Sequence, residues 1–136
     1  MKKCSVFFII LVSVCVIILF LLQLKYRSEK EGLLNNADAV FESCFSQLCD
    51  NLNQEETEEA NEKNIKYTYV CFSIFNLTSY SENEQMNRVV HILYDLSEKK
   101  ALYDELDKTS IEALNKLSQY MKSEELLKSA FYAITK

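Results

Sequence analysis

Hydrophobic and polar positions divide this 136-residue chain at residue 24. Ser5 to Leu24 read SVFFIILVSVCVIILFLLQL, with only Ser5, Ser13 and Gln23 polar and no charged residue. Twenty such residues at about 1.5 Å rise span about 30 Å, the thickness of a bilayer's hydrocarbon core. A helix on the surface of a small soluble bundle keeps a polar stripe, and this run has none. Lys2 and Lys3 lie in a short basic start, residues 1–4, and Lys25, Tyr26 and Arg27 open a juxtamembrane segment, residues 25–32. The pattern predicts a transmembrane helix over 5–24, retained as a signal anchor. The competing reading is a cleaved signal peptide. Its apolar region is usually about 7–15 residues long, and the one Ala-x-Ala triplet, Ala37 to Ala39, lies far beyond the run. Basic residues are nearly balanced across the span, with Lys2 and Lys3 on one side and Lys25, Arg27 and Lys30 on the other. The short basic start favours the C-terminal domain outside.

Residues 33–136 carry helical periodicity and predict a bundle of four to five helices. From Leu33 to Leu52 the apolar positions Leu34, Ala37, Val40, Phe41, Cys44, Phe45, Leu48 and Leu52 recur at three- and four-residue spacing. They cover half the circumference, wider than a coiled-coil seam. Gly32 is the one obvious break between this helix and the membrane run, and without a firmer one the two helices could run on as one stalk. Asn51 to Asn64 is acidic and polar, either a loop or the polar start of the next helix. Ile65 to Tyr80 is the most apolar stretch outside the membrane run, and its apolar residues fall all around a helical wheel, as in a buried central helix. Its Tyr, Val and Ile content also suits a strand, but no other segment offers a strand partner. A third helix is expected from Ser81 to about Leu102, opened by a Ser81–Glu84 capping box. Thr109 and Glu112 form a second candidate box. The apolar face then changes direction near Lys122, where Ser123 reads as a fresh N-cap.

Composition narrows the fold to all-α. With one Gly and no Pro, the chain lacks the turn chemistry of many-stranded β folds and the glycines of a phosphate-binding loop. A net charge of −5 argues against nucleic acid as a partner, and a single His rules out a two-His metal site. The acidic residues are uneven: ten acids and one base lie between Ser28 and Glu62, a composition that anionic lipid would repel.

Candidate chemistry is sparse. Cys44, Cys49 and Cys71 read as buried small hydrophobes, with a disulfide from Cys44 or Cys49 to Cys71 as the alternative if the domain lies outside. No Cys-x-x-Cys pair suggests zinc. His91 falls opposite the apolar face of its helix and is expected to be exposed. The acid clusters around Glu58 and Asp104 read as solvated faces without a calcium-loop pattern. Asn76-Leu77-Thr78 matches the glycan acceptor triplet, but it lies in the most apolar segment, where a glycan would prevent packing. Tyr69, Phe72, Phe75 and Tyr80 belong to an aromatic cluster that reads as core or as a pocket or partner face between helices.

These readings lead to a non-enzymatic, single-pass, membrane-anchored interaction module that needs no cofactor. Residues 5–24 would meet lipid and the bundle would dock or tether a partner protein. The alternatives are an extracytoplasmic small-ligand sensor signalling through another membrane protein, and a thiol enzyme using Cys44, Cys49 or Cys71.

Overall fold

The computed structural model describes the backbone of residues 2–136 and the side chains of residues 12–136. The described residues are all-helical, with no strand. The elements are α1 (Lys2–Leu52), α2 (Glu58–Phe75), a 3-10 turn (Ser79–Glu82), α3 (Glu84–Glu98), the short α4 (Leu102–Glu105), α5 (Lys108–Gln119) and α6 (Glu124–Ile134). Two units are distinguished, Met1–Leu34 and Asn35–Lys136.

In the first unit, Val12 to Leu24 expose large apolar side chains on every side of the helix, each between 45% and 65% accessible. Among the described residues no helix is long and apolar enough to cross a membrane. Seven residues of the predicted span, 5–11, and the basic start at 1–4 lie outside those whose side chains are described. Gly32 does not interrupt the helix: α1 runs through it, as the second of the two readings left open by the sequence allowed. A glycine inside a helix costs only about 1 kcal/mol relative to alanine. The turns before it carry two i,i+4 ion pairs, Lys25–Glu29 at 3.7 Å and Arg27–Glu31 at 3.0 Å.

The second unit has one core. Phe41, Phe45, Leu48 and Leu52 of α1 meet Cys71 and Phe75 of α2, Met86, Val89, Val90 and Leu93 of α3, Leu114 and Leu117 of α5, and Leu127 and Ala130 of α6. Most of these residues lie on the periodic faces read from the sequence. Segment 65–80 departs from its reading as a helix buried all round. Only one face of α2 is buried, the line Ala60, Asn64, Thr68, Cys71 and Phe75. Two of those five are polar, which hid the face: the Thr68 hydroxyl donates to the Asn64 carbonyl at 2.7 Å, and Asn51 donates to Asn64 Oδ1 at 2.7 Å. Paired in this way, polar side chains tolerate burial.

Two helix starts move from their expected positions. Helix α3 is capped by Asn83, whose Oδ1 accepts from the Gln85 and Met86 amides, and not by Ser81. The Ser81 hydroxyl is occupied inside the 3-10 turn, donating to the Thr78 carbonyl. Helix α5 starts at Lys108 under Asp107, not at Thr109, because the Asp107 carboxylate accepts the Ser110 amide at 2.7 Å. A carboxylate at a helix N-terminus also meets the positive end of the dipole. Ser123 caps α6 as expected. The third helix stops at Glu98, four residues short of Leu102, in a Schellman turn. There Ala101 N–H donates to Leu96 O and Lys100 N–H to Ser97 O.

Candidate functional site

Helices α1 and α2 pack antiparallel, and three contacts give their register. Asp38 accepts from the Ser79 amide and hydroxyl, both at 2.7 Å. Phe41 and Phe75 have ring centroids 5.5 Å apart. Asn51 reaches Asn64 and the Ala60 carbonyl. Four residues after Asp38, Glu42 accepts a hydrogen bond from the Tyr80 hydroxyl. Two carboxylates one turn apart on α1 thus hold the 3-10 turn. The Tyr80 phenol is pushed above its usual range, first by burial, then by its bond to Glu42 and the charges of Glu42 and Asp38.

A cleft opens beside this pair. It has a volume of about 500 Å³ and is lined by Glu42, Tyr80 and the turn from Ser118 to Ser123. A neighbouring depression shares Tyr80, Met121, Lys122 and Ser123 and extends to Asn83, Met86 and Leu127. The lining combines apolar and aromatic surface with a carboxylate, an ammonium and hydroxyls. That mixture can bind and orient a polar ligand or a partner side chain. The signal for it in the sequence was the break near Lys122. Helical periodicity could not place Glu42 next to that break, because the two are joined only through the packing of α1.

The four aromatic residues singled out from the sequence are not gathered into one face. Phe75 and Tyr80 both pack on Phe41, each with a centroid separation of 5.5 Å, inside the core. Phe72 is half-buried and stacks on Tyr94 at 4.1 Å, with the exposed His91 edge-on at 5.0 Å. Tyr69 is exposed. Of the four, only Tyr80 lines the cleft. Asn76 also differs from its expected setting: it is exposed at the C-cap of α2, while Thr78 is buried with its hydroxyl on the Phe75 carbonyl.

The thiols of Cys44, Cys49 and Cys71 are free. Burial pushes Cys49 up to about 12, with Asp50 adding to the shift and hydrogen bonding to Ser118 opposing it. Cys71 is raised by burial and then by the neighbouring Cys44 and Cys49, and Cys44 by burial. Thiols held protonated in this way are poor nucleophiles at neutral pH. Among the described residues, no group of three His, Cys, Asp or Glu side chains is gathered that could hold a metal ion. No protein-family model, curated protein or solved structure matches the chain.

Proposed function

We propose that this chain is a non-enzymatic, single-pass, membrane-anchored helical module that docks or tethers a partner protein at the membrane, with its C-terminal domain outside. The observation that carries the reading is the run of large apolar side chains from Val12 to Leu24, 45–65% accessible around the whole helix. In water such a surface is strongly disfavoured, and lipid is the solvent that suits it. The apolar sequence continues back to Ser5, giving the length a span needs. The bundle buries its own core, which frees its outer faces and cleft for a partner.

Membrane extraction and topology test this together. The full chain should stay in the pellet after alkaline carbonate washing, and a chain starting at Ser28 should be released as a cooperatively unfolding helical protein. Release of the full chain would overturn the anchor. A membrane-impermeant maleimide should label Lys136→Cys in intact cells, and labelling only after lysis would overturn the outward placement.

A second reading, a small-ligand sensor domain, is favoured by the cleft beside Glu42 and Tyr80. It requires a compound that raises the bundle's melting temperature in the wild type and not in Tyr80→Ala. A screen in which every stabilising compound acts equally on both proteins would reject it.

A further inference from the structure

We propose that Cys44 and Cys71 are a redox pair that closes into a disulfide joining α1 to α2 when an oxidant reaches the bundle. The outward placement proposed above matters here only for where that oxidant is met.

The argument is one of register. Phe41 lies against Phe75, and Asn51 against Asn64. Between these two observed pairs, α1 steps through Cys44 and Leu48 at intervals of three, four and three residues. Helix α2, running the other way, steps from Phe75 through Cys71 and Thr68 to Asn64 at intervals of four, three and four. Both sets are consecutive positions of one helical stripe. Cys44 therefore comes level with Cys71, one step in from the Phe41–Phe75 contact. The buried line of α2 contains Cys71, and Cys44 packs against the same core. Helices packed about 8–10 Å apart, with Cα atoms about 2.3 Å from each axis, bring facing Cα atoms to separations a disulfide can span, about 4.4–6.8 Å. Both Cys44 and Cys49 act electrostatically on Cys71, so the three thiols lie close together and the register is what singles out Cys44.

Cys49 is turned to a different partner. Its Sγ donates to the Leu114 carbonyl of α5 at 3.6 Å, and it sits five residues further along α1. The two members of the pair are also unequal. Cys44 is half-buried and Cys71 is only 2% accessible, so the oxidant meets Cys44 first. With glutathione disulfide as oxidant at mildly alkaline pH, where the small thiolate fraction of these raised thiols grows, Cys44 loses its proton to water and its thiolate attacks one sulfur. The glutathione S–S bond breaks and one glutathione thiolate leaves. Cys71, deprotonated in turn, attacks the Cys44 sulfur of the mixed disulfide, and the second glutathione leaves. The two cysteines lose two electrons and two protons, and one glutathione disulfide becomes two thiols.

The test uses the reduced full-length chain in a nonionic detergent, incubated with glutathione disulfide, alkylated, and digested with trypsin without reduction. In the monomer band, fragment 31–63 should be found linked to fragment 67–88. The link should survive in Cys49→Ser and fall to background in Cys44→Ser and Cys71→Ser. The Cys49→Ser chain is decisive by itself, because Cys44 is then the one thiol left in fragment 31–63. No link in that folded chain, a glutathione adduct that stays on Cys44, or a link that persists in Cys44→Ser at wild-type yield would each overturn the pair. Alkylating intact cells before lysis separates this inference from the topology. A chain that links in detergent but is recovered as thiols from cells overturns the outward placement and leaves the pair standing.

Discussion

Asn51 of α1 donates one carboxamide N–H to Asn64 Oδ1 at 2.7 Å and the other to the Ala60 carbonyl at 2.9 Å, so a single side chain ties down the start of α2. Both asparagines are at least 95% buried, and the Asn64 Nδ2 has no partner. Asn51→Ala should destabilise the bundle by about 1–3 kcal/mol, because it leaves the buried Asn64 Oδ1 unpaired and removes a second bond from the Ala60 carbonyl, which keeps its helical partner. Asn51→Leu combined with Asn64→Leu should cost clearly less than the sum of the single changes, since removing both partners removes the desolvation penalty. Urea unfolding of the full chain in detergent measures the cycle. Additive single and double changes would show that the two side chains do not interact.

Lys100 ends α3 with a φ of 54°, the left-handed conformation that a Schellman turn requires and that usually falls to glycine. Lys100→Gly should raise stability by about 0.5–1 kcal/mol, with the relief of left-handed strain partly offset by glycine's freedom in the unfolded chain. Lys100→Val, β-branched at the same angle, should lower it. A shift of the melting midpoint in the opposite order would contradict the cap geometry.

Cys49 carries a pH signature. Burial pushes its thiol up to about 12 in the folded chain, against an ordinary value of about 8.5 when unfolded. Between those values the folded state holds the proton and the unfolded state releases it. Stability from this site is therefore complete below about pH 8.5 and declines as pH rises, at up to about 1.4 kcal/mol per pH unit. Tyr80, also raised, adds to the decline above about pH 10. Cys49→Ala should flatten the slope of stability between pH 9 and 11 relative to the wild type. An unchanged slope would remove Cys49 as a contributor.

Asp38 accepts both the amide and the hydroxyl of Ser79, and Glu42 accepts the phenol of Tyr80. Asp38→Ala should cost about 2–3 kcal/mol, because hydrogen bonds to a charged acceptor are stronger than neutral ones and the Ser79 amide is left unpaired. Tyr80→Phe keeps the ring on Phe41 and should cost only about 1 kcal/mol. Equal losses from the two substitutions in chemical denaturation would show that the 3-10 turn is held by its core packing and not by the carboxylates.

Periodicity, together with the scarcity of Gly and Pro, determined the all-helical class, and periodicity gave most of the apolar core positions and the break at Ser123. Those depend on side chains three or four residues apart, and a helix places such residues on one face whatever surrounds it. The exposed setting of His91 was legible for the same reason. The cap at Asn83 was not, because Ser81 and Asn83 both offer a side-chain oxygen near the helix start, and the choice was made when Ser81 turned to the Thr78 carbonyl. The buried face of α2 was hidden by Asn64 and Thr68, whose burial is acceptable only with partners in place. Asn64 draws on Asn51, 13 residues away. The dispersal of Tyr69, Phe72, Phe75 and Tyr80 and the cleft at Glu42 belong to the tertiary structure. Each depends on the relative rotation and register of two helices, which is decided by the packing of the whole core and leaves no periodic trace along either strip of sequence.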